Sequence, residues 1–390
     1  MGFLDNLPTD LDSLKATLSS FGSRGSGSVV GIDIGSSAIK VVQLRNEDGA
    51  AVLETYGELS LGPYQDIEIG RSVNLDVDRL AEALRDILHE ANVTTKDCGV
   101  SIPFASSLIT LLELPQVDSK TLKSMIPLEA RKYIPVPISE VQLDWFVVPE
   151  GDLKYLSKEE KEEAREAAQD GKHADTINVL LVAIHNEISR KYETILKAAD
   201  LKPTFFEIEI FSSIRAILGR GVAPVVVLDI GAARSKLYIV EAGIVRSTHV
   251  INRGSQDITL TFAKSTGIPV TKAEELKREY GLDAQGAGEH GPRLAQTALS
   301  GMEYIFAEAE RAILAYQRRY HANITQVMLT GGGATLKGLL PLAQKKFERE
   351  VLLADPFKKT RSPAFLEEVL KEAGPEFAVA VGLALRKLQG

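Results

Sequence analysis

VVGIDIGSSAIKVVQLR (29–45) and VVVLDIGAARSKLYIVE (225–241) are two versions of one pattern. Each is an apolar strand, an Asp, one apolar residue, a Gly, a few small or polar residues, and a second strand. A single copy reads as an ordinary strand and turn. Two copies this far apart indicate two related lobes rather than a short-period solenoid. In each hairpin the Gly lets the main chain approach a ligand closely. The small residues Ser36 and Ser37, and Ala232 and Ser235, leave backbone N–H groups able to cradle phosphate oxygens. Asp33 and Asp229, at the strand ends, are placed to meet phosphates through a hydrated cation, the way Mg²⁺ is usually held. Two such hairpins face to face form a clamp around a polyphosphate.

A third motif lies near the C-terminus, VMLTGGGATLKGL (327–339). A buried strand runs into Gly331, Gly332 and Gly333, where a flat base can lie against bare main chain, followed by Ala334, Thr335, Leu336 and an expected helix start. A helix N-terminus there favours an anionic group. A dinucleotide-binding fingerprint is disfavoured by position, because that glycine loop opens the first βαβ unit.

The 390 residues suggest more than one subdomain. The net charge of −8 argues against a nucleic-acid partner, which calls for a basic face. Cys98 is the only cysteine, so no internal disulfide can form and a reducing compartment is expected. The six histidines show no metal-ligand spacing. No apolar run is long enough to span a bilayer and the first residues lack a secretory pattern, so a cytoplasmic location is expected. Residues 1–21 carry Leu4, Leu7, Leu11, Leu14, Leu18 and Phe21 on one helical face, and GSRGSGS (22–28) reads as a flexible linker. With Lys15 the only base before the linker, this helix suits a partner or a sister molecule better than anionic lipid or its own body. Residues 76–91 read as an amphipathic helix with Leu80, Leu84, Ile87 and Leu88 on one face. Residues 118–134 read as a second helix, stopped by the prolines of IPVP. The charged stretch 150–176 reads as a solvated helical insertion.

The three motifs, in this order, resemble the phosphate-1, phosphate-2 and adenosine motifs of the actin/Hsp70/hexokinase ATPase superfamily. Within it the chain resembles the FtsA-like branch, and most of all the PilM family of type IV pilus assembly proteins. EARKYIPVPISEVQLDWFVV (129–148), INRGSQDITLTFAKSTGIPVTKAEELKREYG (251–281), ADPFKK and AVAVGLALR add to the likeness, which runs over about 28–390. The resemblance implies an α/β actin-like ATPase fold of two duplicated ribonuclease-H-like lobes with an extra, SHS2-like 1C subdomain. The expected layout is an amphipathic helix and linker at 1–28, a first lobe (1A) at 29–104 and 199–222, the 1C insertion at 105–198, and a second lobe (2A/2B) at 223–390.

By the same resemblance, Asp33, Gly35, Ser36, Ser37 and Lys40 match phosphate-1, and Asp229, Gly231, Ala232 and Ser235 match phosphate-2, where Arg234 is unusually bulky. Glu274 and Lys277 match the pair that meets ribose and adenine, and Gly331, Gly332, Gly333 and Leu336 the adenosine motif. ATP and Mg²⁺ are the implied cofactors, with Asp33 and Asp229 holding the metal through water. Glu207 and Glu209 resemble an acidic D-x-E pattern that orders a water, although a plain strand-to-helix connection accounts for them as well. The implied partners are the N-terminal cytoplasmic peptide of PilN and other inner-membrane pilus components. PilN would be taken in a groove between 1A and 1C for which Ile126, Leu128 and Tyr133 are candidates. Such a protein sits on the cytoplasmic face of the inner membrane through its partner and hydrolyses ATP slowly if at all. The alternatives are an FtsA-like cell-division adaptor and a sugar or acid kinase of the same superfamily. The kinase lacks a convincing base for an acceptor hydroxyl.

Overall fold

The computed structural model describes residues 27–148, 176–219, 221 and 223–389. The apolar stripe at 1–21 and the charged stretch at 150–175 therefore lie outside the described residues. The described residues form two compact units, a smaller one of 104–190 and a larger one of 27–103 with 191–389.

In chain order the larger unit begins with β1 (Ser28–Ile34), β2 (Ala38–Glu47), β3 (Ala50–Ser60), α1 (Val77–Glu90) and β4 (Asp97–Ile102). The smaller unit follows with β5 (Ser107–Pro115), α2 (Ser119–Ala130), β6 (Val141–Val148) and β7 (Thr176–His185), and α3 (Asn186–Ala198) leads out of it. The larger unit resumes with β8 (Lys202–Ile208), α4 (Glu209–Ile217), β9 (Val225–Ile230), β10 (Ser235–Glu241) and β11 (Ile244–Ile251). It continues through α5 (Ser255–Thr266), α6 (Val270–Tyr280), α7 (Gly291–Tyr320), β12 (Gln326–Thr330), α8 (Leu339–Phe347), β13 (Glu350–Leu353) and α9 (Glu367–Gln389).

The larger unit holds two sheets of the same design. The first has the order β3-β2-β1-β4-β8 and the second β11-β10-β9-β12-β13. In each, the hairpin strands run antiparallel and the two strands on the other side of the central one run parallel to it. The repeated hairpins of the sequence thus fall at the same place in two equivalent sheets. The central strands are apolar almost throughout because helices cover both faces. Helix α1 starts where the Asp76 side chain accepts the Arg79 N–H, and it buries Leu80, Leu84 and Ile87. Helix α7 lays Ala298, Met302, Ile305, Phe306 and Ile313 against Val226, Leu228, Leu237 and Ile239 of the second sheet.

The last helix belongs by chain order to the second lobe, yet α9 packs on β1, β2, β4 and α4 of the first. Glycines permit the approach. A Cβ on Gly31 would lie 2.0 Å from the Ala380 carbonyl oxygen, and one on Gly382 would lie 1.9 Å from that of Ser212. The early part of α9 reaches the second lobe, where the Pro375 carbonyl accepts the Gly331 N–H and the Thr330 hydroxyl, each at 2.8 Å. One helix therefore ties both lobes.

The smaller unit is an antiparallel sheet, β5-β7-β6, with its own core. Leu112, Leu114, Val179 and Leu181 pack against Leu122, Ile126 and Ala130 of α2. Asp118 caps α2 by accepting the N–H groups of Lys120 and Thr121. The helix ends at Ala130, earlier than the apolar spacing suggested, because the residues ahead of Pro135 and Pro137 must turn extended. Among the described residues no helix is long and apolar enough to cross a membrane.

Candidate functional site

The duplicated hairpins carry the same chemistry at the same register. Asp33 lies opposite Lys40 in the β1–β2 ladder, and Asp229 lies opposite Lys236 in the β9–β10 ladder. Directly opposed residues share a face of the sheet, so each strand end presents a carboxylate beside an ammonium. The turns close alike, with the Gly35 N–H donating to Ala38 O at 3.0 Å and the Gly231 N–H donating to Arg234 O at 3.1 Å. Gly35 and Ser36 are exposed and Ser37 is partly so. In the second turn the carbonyls of Gly231 and Ala232 accept the N–H groups of Ser255 and Gln256, which clamps the turn to the start of α5. Ser235 is fully buried and donates its hydroxyl to Arg253 O at 2.8 Å, so it braces the hairpin instead of facing a ligand.

The lysines differ in their partners. Lys40 Nζ lies 3.2 Å from Glu58 Oε1 and 3.9 Å from Glu376 Oε2. Lys236 Nζ lies 2.8 Å from Asp229 Oδ2 and 2.6 Å from Glu209 Oε2. Glu209 opens α4 in the first lobe, so Lys236 joins the lobes. Burial disfavours the Lys236 charge, but Asp229 and Glu209 together hold its pKa above the usual lysine range. Asp33 accepts the Ser101 hydroxyl at 2.8 Å. Burial and the Glu209 charge push its carboxyl up to about 6, against the pull of Lys40, Ser101 and Lys236.

Glu207 is enclosed elsewhere. Arg215 donates to its two oxygens at 2.6 and 2.7 Å, Arg386 donates at 2.9 Å, and the Ser212 hydroxyl adds a further bond. Burial alone would raise this carboxyl, but the two guanidinium groups hold it below the usual range. That arrangement anchors α4 and α9 to β8. A water-ordering role for Glu207 has no geometry to support it, and of the acidic pair only Glu209 meets the hairpins.

The glycine motif sits beside Asp229. Gly331 has φ of 84°, and a Cβ on it would lie 2.3 Å from Asp229 Oδ1, so no side chain fits. Gly332 is exposed, with Glu376 Oε2 the nearest atom to a Cβ at 3.5 Å. The helix expected straight after the glycines is a 3₁₀ turn, Gly332–Thr335. Helix α8 starts only at Leu339, because Gly338 turns left-handed at φ of 80°. Leu336 joins the core of the second lobe.

On α6, Glu274 and Lys277 are buried and paired at 2.7 Å. Thr259 donates to Glu274 at 2.6 Å and Arg278 at 2.8 Å. Burial opposes the Glu274 charge, yet Lys277, Thr259 and Arg278 outweigh it and hold the carboxyl low. Direct contact with ribose or base would require this pair to open. The segment after β3 crosses to the second lobe here. The Ser72 N–H donates to Gln256 Oε1 at 2.9 Å, and a Cβ on Gly70 would lie 2.6 Å from Glu274 Cδ.

The exposed turns, Lys40 and the glycine platform suit an anionic phosphate chain and a flat base. Asp229, one of the two residues expected to hold Mg²⁺, does not fit a hydrated divalent ion. Asp229 has one oxygen on the Lys236 ammonium and the other against Gly331. A divalent ion about 4 Å from that ammonium meets a repulsion of about 8 kcal/mol at an effective dielectric constant of about 20. Lys236 was legible as the residue that both repeats share seven places after the Asp. Glu58, Glu376 and Arg278 had no such signal.

In the smaller unit Ile126 is 1% exposed and belongs to the core, which removes it from the candidate partner surface. Leu128 and Tyr133 are 59% and 48% exposed.

The model of the family described as type IV pilus assembly protein PilM matches residues 31–161 and 164–388. The chain is 24% identical over 231 residues to the cell division protein FtsA of Escherichia coli (strain K12), covering 53% of this chain and 54% of that protein. It thus spans about half the length of that relative. Its likeness to FtsA of Neisseria meningitidis serogroup B is 22% over 389 residues, 92% of this chain and 90% of that one. Among solved structures, one described as a PilM-PilN type IV pilus biogenesis complex aligns with a TM-score of 0.74 at 24% identity, over 93% of this chain and 99% of that one. The ethanolamine utilization protein EutJ from Carboxydothermus hydrogenoformans aligns with a TM-score of 0.51 at 14% identity, over 92% and 89%. These likenesses show a shared fold.

Proposed function

Because this chain belongs to the family of type IV pilus assembly protein PilM, we propose that it is an ATP-binding assembly module that docks on the cytoplasmic N-terminal tail of PilN. The observation that carries the reading is the family match over nearly all of the described residues. The paired Asp–Gly hairpins and the glycine platform support a nucleotide between the lobes. Ser36, Ser37 and the exposed Gly35 turn would cradle phosphates, Lys40 would neutralise them, and Gly332 would back the base. ATP acts by holding the lobes closed, since a ligand shifts an equilibrium only through differential affinity. Turnover is slow, because Glu209, the member of the Glu207/Glu209 pair that meets the hairpins, is held by Lys236.

For the partner, the smaller unit offers Leu128 and Tyr133, two exposed apolar side chains on and just after α2. A tail of a membrane-anchored protein seated there would bring the chain to the inner face of the membrane. The curated FtsA relatives favour a second reading, a cell-division adaptor.

The test is a fluorescence-anisotropy titration of the full chain with the labelled N-terminal tail of the co-encoded bitopic membrane protein, with and without ATP. Saturable binding is expected, weakened about tenfold or more by Leu128→Asp with Tyr133→Ala, the range for loss of interface anchors. Absence of binding in both conditions would overturn the pilus reading and favour the division adaptor.

A further inference from the structure

We propose that Lys236 supplies from within the chain the positive charge that a divalent cation would otherwise bring to the phosphates, so that the cleft takes a nucleoside triphosphate without a metal ion. This rests on the reading of the cleft as a nucleotide site. The ammonium stands where the strand end of the second hairpin meets α4 of the first lobe, 2.8 Å from Asp229 and 2.6 Å from Glu209. Asp33 feels the charges of both Glu209 and Lys236, so three carboxylates share the field of one fixed cation. Tyr238, buried on the same strand, Tyr192 of α3 and Lys40 are other titratable groups facing this cluster. An ammonium has three N–H donors. Asp229 and Glu209 take two, which leaves one for a phosphate oxygen. Lys40 stands at the matching register of the first hairpin, so the two lobes would offer one lysine each to the phosphate chain. A divalent ion would have to displace a cation that already satisfies its ligands.

The experiment titrates the full chain with a fluorescent ATP analogue in EDTA and again in Mg²⁺, for the wild type, Lys236→Ala and Lys236→Arg. The wild type and Lys236→Arg are expected to bind alike in both buffers. Lys236→Ala should lose roughly 10-fold or more in EDTA, the scale of one hydrogen bond to a charged group, and recover in Mg²⁺. A second readout without nucleotide is Mn²⁺ binding by electron paramagnetic resonance, expected for Lys236→Ala and not for the wild type. A wild type that binds the analogue only with Mg²⁺, with Lys236→Ala behaving identically, overturns the proposal and leaves the nucleotide reading standing. No binding by any variant in either buffer overturns both.

Discussion

Asp33 shows how one carboxyl can set a pH dependence. Its folded value of about 6 lies above the ordinary 3.8, so between those two pH values the folded protein keeps a proton that the unfolded chain has released. Stability from this group is therefore fully present below about pH 4 and is lost as the pH rises through about 6, a change on the order of 3 kcal/mol. Asp33→Asn should leave the urea midpoint nearly unchanged at about pH 3.5 and raise it at pH 8; an equal effect at both would refute this account. Glu207 behaves in the opposite sense, since its charge neutralises Arg215 and Arg386. Glu207→Ala leaves both guanidinium groups without their carboxylate, and a destabilisation of about 3–5 kcal/mol is expected by denaturant unfolding. A loss below 1 kcal/mol would mean that water reaches the two arginines.

At the scale of elements, α9 and the glycine motif separate packing from binding. Gly382 meets the backbone of α4 with no room for a methyl group, and Arg215 also donates to its carbonyl at 3.1 Å. Gly382→Ala should therefore cost about 1–3 kcal/mol through overpacking, read as a lowered melting temperature. Gly332 has ordinary space around an added methyl. Gly332→Ala should leave melting unchanged while lowering affinity for the ATP analogue, because the methyl group stands on the proposed base platform. The reverse pattern would move the base elsewhere. Much of this level was legible in the sequence. The α1 stripe and both hairpins are local patterns of spacing, and they fold where spacing put them. The end of α2 and the delayed start of α8 were not, because a proline two or more residues ahead and a left-handed Gly338 act through backbone geometry that apolar periodicity does not register.

At the scale of the molecule, the two compact units have separate cores and separate reporters. Trp145, the single tryptophan, lies in β6 of the smaller unit, whereas most of the helix belongs to the larger. A nucleotide at about 100 times its Kd stabilises the unit that binds it by about 2.7 kcal/mol. Far-UV dichroism should then report a raised midpoint while Trp145 fluorescence keeps its own. A shift of both together would show that the units unfold as one.

The sequence by itself determined the duplication, the two Asp–Gly turns and the glycine strand end, because each is written in contiguous residues whose spacing and size impose the local geometry. Tertiary structure alone decided the rest. It placed α9 on the lobe it does not follow in the chain, brought Glu58 and Glu376 to Lys40, closed Glu274 on Lys277, and set Lys236 between Asp229 and Glu209. Those pairings join distant segments, and whether a charge faces a ligand or another charge depends on which segment folding lays beside it.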